Sequence, residues 1–213
     1  MKITIVGAGG NIGQRITREA ANRAHELNLI TSKQVSDFQL ENTQNVQTSR
    51  VDIFNTDDLA QAFSGSDVVI SSYAPPHDNN DQLIEASKSL VQAAKKAGTR
   101  LIVVGGAGSL NVAEDLLLID APNFPSEYKS IAQAHLTTLQ EVYRPETELN
   151  WTNVSPSAYI FEGERTGNFR IAEDTLISNE KGESAISMED FAVAILDEVN
   201  ASKFLKKRFT VGY

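Results

Sequence analysis

The sequence contains no cysteine, and this absence excludes several kinds of chemistry at once. Without thiols the chain forms no disulfide, uses no thiolate nucleophile and builds no zinc–sulfur site. The three histidines, His25, His77 and His135, lie far apart and have no carboxylate at ligand spacing, so we predict no metal site. A Gly-x-Ser-x-Gly elbow is also missing, which argues against a serine hydrolase.

The chain also lacks a basic excess and a long apolar run. It carries 28 acidic and 19 basic residues, and its net charge of −9 disfavours binding to nucleic acid or to an anionic membrane through overall charge. No apolar stretch approaches the roughly 20 residues of a membrane span. Met1-Lys2-Ile3 leads directly into a predicted strand and leaves no room for a secretion signal. We therefore expect a cytoplasmic protein with no nucleic-acid or membrane partner.

Strand-like and helix-like segments alternate along the chain, and this alternation predicts parallel βαβ units. The 213 residues suit one domain. The expected fold class is α/β, a Rossmann-like doubly wound parallel sheet. We predict strands near 2–6, 27–31, 47–52, 67–72, 100–105 and 150–154, and helices near 11–23, 56–63, 79–97 and 129–144.

The last part of the chain has a different pattern. Residues 163–186 contain short alternating runs separated by turn residues, which predicts a small β element. Ser187 to Asp190 resembles a capping box in front of an amphipathic helix to about residue 200, and residues 209–212 form a candidate final strand. We expect residues 1–213 to form a single domain, in which residues about 157–213 pack on the core as a small C-terminal substrate cap.

The most informative segment is the glycine cluster that follows the first strand. Gly7, Gly10 and Gly13 recur every third residue, with Asn11 and Ile12 between the last two. A strand, a tight glycine turn and a helix N-terminus together form an anion site, because unpaired N–H groups and the helix dipole converge there. The spacing is Gly-x-x-Gly-x-x-Gly, since the alternative pattern beginning Gly7-x-Gly9 meets Ile12 where it needs glycine. We predict a dinucleotide site, the alternative being an ordinary strand-to-helix turn.

Residues after the second and third strands indicate which dinucleotide binds. No acid occurs from residue 27 to 36 to hold the ribose hydroxyls of NAD, whereas Ser32 and Lys33 could take the additional phosphate of NADP. We therefore favour NADP over NAD, although Lys33 could equally be a solvated lysine. After strand three, Asp52 is a candidate for the adenine amine and Ile53 for the ring face, with a simple turn cap as the alternative for Asp52.

The ends of the later strands supply further candidates. Tyr73 and Ala74 follow strand four, where small residues would let the cofactor lie across the sheet; Tyr73 could equally be a core-edge aromatic. Ser109 ends the glycine-rich turn after strand five and could hydrogen-bond a substrate carbonyl or the nicotinamide amide, or serve only the turn. Tyr159 and Phe161 follow strand six as candidate walls of a flat apolar pocket, or as core aromatics.

Taken together, several motifs carry a resemblance that covers the whole chain. They are Gly7-x-x-Gly10-x-x-Gly13, Gly105-Gly-Ala-Gly-Ser109, Asn150-Trp-Thr-Asn-Val-Ser-Pro156, Gly163-Glu-Arg-Thr-Gly167 and Arg208-Phe-Thr-Val-Gly-Tyr213. The chain resembles the atypical short-chain dehydrogenases/reductases grouped as NAD(P)H-binding proteins, specifically those described as NADH-flavin reductases. The resemblance implies a nicotinamide cofactor in an extended groove and hydride transfer to flavin, as substrate, or to a similar small planar acceptor. A homodimer is an open expectation.

One family feature is missing from the sequence. Short-chain dehydrogenases use a Tyr-x-x-x-Lys pair, whereas Tyr128 is followed at that distance by Ala132. Flavin reduction needs less than this pair, because stacking the nicotinamide against the acceptor supplies most of the catalysis. The resemblance therefore leaves Ser109 and Tyr128 as candidates for orienting the acceptor. The alternatives are a non-catalytic NADP(H)-binding redox sensor and, ranked last, a nucleoside-sugar epimerase, which needs the missing pair.

Overall fold

A computed structural model describes all residues from 1 to 213 and shows an α/β fold around one eight-stranded sheet. The twelve strands are β1 (Lys2–Val6), β2 (Glu26–Ile30), β3 (Val46–Ser49), β4 (Val68–Ser71), β5 (Arg100–Val104), β6 (Asn111–Ala113), β7 (Leu116–Leu117), β8 (Trp151–Ser155), β9 (Tyr159–Phe161), β10 (Arg170–Ala172), β11 (Ala185–Ser187) and β12 (Lys207–Gly212). The five α-helices are α1 (Asn11–Asn22), α2 (Thr56–Phe63), α3 (Gln82–Ala97), α4 (Lys129–Thr138) and α5 (Met188–Ala201).

The strand order is the one expected for a doubly wound sheet. It runs β10-β12-β8-β5-β4-β1-β2-β3, and every neighbouring pair is parallel except β10 with β12. The order reverses between β1 and β4, so a crevice opens there beyond the carboxyl ends of the strands. The Rossmann-like α/β fold predicted from the sequence is confirmed.

Two apolar layers sandwich the sheet. On one face, α1 and α5 pack together over Ile3 and Ile5 of β1, and Phe191 of α5 is fully buried there. On the other face, Leu59 and Phe63 of α2 pack with α3 and with the end of the α4 region. Because both faces are covered, the central strands are apolar throughout. None of the helices combines the length and the apolar composition that a membrane crossing requires.

The predicted boundaries need small corrections. The third helix begins at Gln82 rather than near residue 79, because residues 79–81 form hydrogen-bonded turns before it. The fourth predicted helix, 129–144, is α4 followed by a π-helical turn over Leu139–Tyr143. A π turn adds one residue to a helical turn, and here it leads the chain towards β8.

The C-terminal part contributes two strands to the main sheet. β12 pairs in parallel with β8, so that Phe209 lies opposite Val154, and β10 pairs with the outer side of β12. The helix α5 packs beside α1 and completes the layer that covers this face of the sheet. Within residues about 157–213, which were predicted to form the cap, β9 and β11 pair with each other outside the main sheet. Its contact with a substrate stays a prediction.

Candidate functional site

A groove of about 550 Å³ lies at the carboxyl ends of β1 to β4, at the point where the strand order reverses. Seven of the predicted cofactor-binding residues line it together: Gly7, Gly10, Ser32, Lys33, Asp52, Ile53 and Tyr73. The other wall residues are Val6, Gly9, Ile30, Thr31, Arg50 and Val51. Of the remaining predicted residues, Asn11, Ile12 and Gly13 form the first turn of α1 beside the groove, and Ala74 follows Tyr73.

The turn from Gly7 to Gly13 between β1 and α1, which we call the glycine elbow, needs its glycines for two different reasons. A Cβ on Gly13 would lie 2.2 Å from the Gly7 carbonyl oxygen and 2.8 Å from the Ser72 hydroxyl, so the packing of the elbow itself excludes a side chain. Gly7 has φ of +73° and would place a Cβ 2.9 Å from the Ser72 carbonyl oxygen. A Cβ on Gly10, in contrast, meets nothing closer than 3.5 Å. The protein's own packing does not account for glycine at position 10, whereas a ligand lying close to the backbone does.

The start of α1 presents free hydrogen-bond donors to the groove. Gly10 is the N-cap and supplies no capping side chain, and the first turn contains no acid. The first N–H in the turn with a backbone acceptor is that of Gln14, which bonds to the Gly10 carbonyl oxygen at 2.9 Å. The amides of Asn11, Ile12 and Gly13 are thus available at the positive end of the helix dipole. These donors and the clear space above Gly10 fit a pyrophosphate.

Two cations lie on the side of the groove formed by β2 and β3. The Lys33 side chain passes over Gly9, where a Cβ would come within 3.2 Å of Lys33 Cδ. Arg50 Nη2 donates to the Ser32 carbonyl oxygen at 3.0 Å, which holds the guanidinium beside the Ser32 loop. Sequence reasoning missed Arg50, because the strand predicted near 47–52 included it, whereas β3 ends at Ser49 and leaves Arg50 at the carboxyl edge. It also set Gly9 aside, because the motif spacing uses Gly7, Gly10 and Gly13.

Asp52 and Tyr73 have local contacts as well as places in the groove. The Asp52 carboxylate accepts the Phe54 N–H at 3.0 Å, so the turn-cap alternative for this residue is realised. Tyr73 is half-buried, packs against the apolar layer of α2 and α3, and lines the groove; burial raises the pKa of its phenol. Asp52 and Tyr73 therefore each have a structural role and also line the groove.

Ser109 is buried and has the structural role in the turn that was its predicted alternative. Its side chain is 5% exposed, and Arg208 Nη1 donates to both the Ser109 hydroxyl and its carbonyl oxygen at 2.8 Å. Arg208 is in turn held by Asp174. Ser109 therefore fixes the turn after β5 to the last strand and does not line the groove, and its contact with an acceptor stays a prediction.

Tyr128 precedes α4 and its side chain is 59% exposed. It does not line the groove, and its orienting role stays a prediction. Ala132, which stands where a dehydrogenase lysine would be, is buried, and a Cβ on Gly108 would lie 2.8 Å from the Ala132 Cβ. The packing at this position leaves no room for a longer side chain without rearrangement.

A small cavity with a mixed polar and apolar lining lies near the end of β5, next to the groove. Glycine is required at both positions of the turn after β5: a Cβ on Gly105 would lie 2.3 Å from Asn153 Oδ1, and one on Gly106 would lie 2.9 Å from the His135 ring. The cavity has about 10 Å³ of free space, which suffices for about one water molecule, and Tyr73 separates it from the groove. Asn153 Oδ1 is buried without a hydrogen-bond partner from the protein.

The comparisons with known proteins agree with this geometry. A family model described as NAD(P)H-binding matches residues 7–202, from the glycine elbow to just beyond α5. The chain belongs to this NAD(P)H-binding family. The resemblance inferred from the sequence motifs is therefore confirmed at the level of the family.

Relatives of this NAD(P)H-binding protein match it over nearly its full length. It is 36% identical over 215 residues to the protein YwnB of Bacillus subtilis (strain 168). The alignment covers 99% of this chain and 98% of YwnB. A solved structure named a putative exported protein, from Burkholderia pseudomallei, is 39% identical with a TM-score of 0.90, and both chains are covered completely.

Two further solved structures carry names of enzymes. A putative NADH-flavin reductase from Streptococcus pneumoniae TIGR4 is 34% identical with a TM-score of 0.86, covering 100% of this chain and 99% of that one. A putative epimerase from Bacteroides thetaiotaomicron is 33% identical with a TM-score of 0.92, covering 100% and 96%. These two proteins thus share the fold of this chain, whereas their names indicate two different activities.

His135 gives the NAD(P)H-binding protein a testable pH dependence. Burial lowers the pKa of His135 to about 4, from an ordinary value of 6.5. Between these values the unfolded chain binds a proton that the native chain does not, so stability is complete above about pH 6.5 and falls as the pH is lowered towards 4. We expect this one group to remove about 2 kcal/mol between pH 7 and pH 5.

Urea unfolding of His135→Gln at several pH values tests this expectation. The variant should lose less stability than wild type between pH 7 and pH 5, because glutamine does not titrate. His77→Gln, a change at an exposed histidine, is the matched control and should keep the wild-type pH profile. A profile for His135→Gln that parallels wild type would contradict the assignment.

Proposed function

We propose that this protein is an NAD(P)H-dependent oxidoreductase that prefers NADPH and reduces flavin or a similar planar acceptor. The family match and the similarity to a protein named an NADH-flavin reductase support the oxidoreductase class. The observation that carries the proposal is the glycine elbow, where three free amides face a groove and Gly10 keeps the approach clear. Bound NAD(P)H supplies a hydride, and the chain's own residues bind, orient and shield the reactants.

The preference for NADPH rests on the charges at one end of the groove. Lys33 and Arg50 stand beside Ser32, and no acid occurs from residue 27 to 36 to hold the ribose hydroxyls of NADH. Asp52 is the one acid that lines the groove, and its carboxylate accepts the Phe54 N–H. A guanidinium and an ammonium together favour a phosphate dianion over a neutral hydroxyl.

We expect Lys33→Asp to weaken NADPH binding by about tenfold or more and to change NADH binding much less, because the carboxylate repels the additional phosphate. Titration of each dinucleotide by its fluorescence measures the two affinities. Lys181→Asp, at an exposed lysine outside the groove, has the same charge change and serves as control. Equal weakening of both dinucleotides, or none, would remove Lys33 from the cofactor site.

Loss of absorbance at 340 nm tests the reductase activity itself. Wild type mixed with NADPH and free flavin should consume NADPH faster than the uncatalysed rate. Cofactor binding without turnover of any flavin would contradict the reductase and favour a redox sensor. The epimerase suggested by one structural neighbour has less support, because Ala132 occupies the lysine position of the required pair. The cytoplasmic location and the homodimer stay predictions.

A further inference from the structure

A pair of stacked aromatic rings, one exposed and one partly buried, stands at the rim beyond β8. The rings of Tyr159 and Phe161 are 5.5 Å apart with an interplanar angle of 13°, and Tyr159 is 65% exposed. We call this pair the aromatic shelf. An aromatic ring that is open to solvent on one face and fixed by a stacking partner on the other offers a flat surface on which a planar ligand can stack.

The aromatic shelf is held in place from below. Phe161 meets the Tyr213 ring edge-on at 6.5 Å, and it lies so close to Gly163 that a Cβ there would come within 2.8 Å of the Phe161 ring. The Tyr159 N–H donates to the Ser184 carbonyl oxygen at 3.0 Å, which ties β9 to the chain leading into β11. The Tyr159 ring is thus offered on a supported backbone, which lowers the entropy cost of binding a ligand.

The aromatic shelf is also tied to the anion site at the start of α1. Glu162, the residue after Phe161, pairs with Arg15 Nη2 at 3.0 Å, and Arg15 Nη1 donates to the Asn11 carbonyl oxygen at 3.3 Å. Arg15 Nε pairs with Glu189 at 3.0 Å, and Glu189 accepts the Gly163 N–H at 2.9 Å. One guanidinium therefore connects the first turn of α1, the first turn of α5 and the rim that carries the aromatic shelf.

The strand order places the aromatic shelf on the opposite side of β1 from Lys33 and Arg50. The cations Lys33 and Arg50 mark the adenosine end beside β2 and β3, so the nicotinamide end points the opposite way, over β4 and β5. β8 is the next strand, about 14 Å from β1 at a spacing of about 4.8 Å per strand.

We propose that the aromatic shelf is the acceptor platform, on which the fused, planar heteroaromatic ring of a flavin stacks against Tyr159 beside the nicotinamide. This inference rests on the proposed reductase function and deepens it. Glu162 and Glu164 are exposed next to the aromatic shelf, so a neutral flavin without a phosphate is the suitable probe.

Quenching of riboflavin fluorescence by the full chain, without dinucleotide, measures binding to the aromatic shelf. We expect Tyr159→Leu to weaken riboflavin binding at least tenfold, and Tyr159→Phe, which keeps the ring, to stay within about twofold of wild type. Phe54→Leu is the matched control, because Phe54 is an exposed aromatic (43%) next to Ile53 at the adenosine end, and it should bind riboflavin as wild type does. Circular dichroism verifies that each variant is folded.

Two results would overturn the proposal. One is riboflavin binding by Tyr159→Leu at the wild-type affinity. The other is a shift from dimer to monomer in sedimentation of Tyr159→Leu with riboflavin affinity unchanged, which would assign the aromatic shelf to a second copy of the chain. NADPH titration of the same samples separates this proposal from the reductase function. If wild type does not bind NADPH, the function is refuted; if wild type binds NADPH and Tyr159→Leu keeps the wild-type riboflavin affinity, only the platform is refuted.

Discussion

Gly13→Ala is expected to lower the free energy of unfolding by about 3 kcal/mol and to abolish dinucleotide binding. The added methyl group would lie 2.2 Å from the Gly7 carbonyl oxygen and 2.9 Å from Ala8 Cα, both of which are backbone atoms. Neither atom can withdraw without moving the end of β1 away from α1. Urea unfolding measures the loss of stability, and titration with NADPH measures the loss of binding.

Gly10→Ala is the matched variant, because it adds the same methyl group three residues earlier, where the nearest atom, the Gly7 carbonyl oxygen, is 3.5 Å away. It should cost less than about 1 kcal/mol, the usual range for a change at an N-cap, and leave the fold intact. It should nevertheless weaken NADPH binding at least tenfold, since the methyl group occupies the path of the pyrophosphate. Unchanged binding by Gly10→Ala would show that the ligand does not lie on the elbow.

Asp190→Ala is expected to lower the free energy of unfolding by about 3 kcal/mol. The carboxylate is fully buried and accepts four hydrogen bonds: from the Thr166 N–H at 2.8 Å, the Thr166 hydroxyl at 2.5 Å, the Gly167 N–H at 2.7 Å and the Tyr213 hydroxyl at 2.8 Å. Its removal leaves these donors without their acceptor and takes a negative charge from the first turn of α5.

Urea unfolding and amide hydrogen exchange test the role of Asp190 together. In Asp190→Ala, the amides of Thr166 and Gly167 should exchange faster than in wild type, because their acceptor is gone. Asp197→Ala is the control on the same helix: its side chain is 57% exposed and pairs with Arg23, so its loss should cost less than about 1 kcal/mol. Equal stability of the two variants would contradict the anchoring role of Asp190.

Local sequence patterns predicted most of the strands of the sheet and the part of the candidate site around the glycine elbow. The apolar runs and the glycine elbow located β1, β2, β4, β5 and β8 within about two residues, since buried parallel strands and helix starts leave strong local signals. The elbow brings Gly7 and Gly10 into the groove for the same local reason. The capping box was half correct: Ser187 Oγ accepts the Asp190 N–H at 3.0 Å, whereas the Asp190 carboxylate turns to Thr166 and Tyr213 instead of to Ser187.

The features that sequence reasoning missed depend on contacts between distant segments. Arg208 is 99 residues from Ser109, and no local pattern indicates that its guanidinium would engage the Ser109 hydroxyl. The partnership of Arg15 with Glu162 likewise joins two parts of the chain that only the completed fold brings together. Asn153 lies against Gly105, and His135 lies against Gly106, only in the completed fold. No local pattern in the sequence therefore explains why this turn contains two glycines.

The position of β12 in the sheet constrains the order in which the molecule is assembled. This strand lies between β8 and β10, although it follows both in the chain. During synthesis on the ribosome, one edge of β8 stays unpaired until residues 207–212 have been made. Until then, β10 also has no partner strand. An open edge of this kind invites pairing with other chains, so the nascent protein has a period of exposure that ends only when its last strand is inserted.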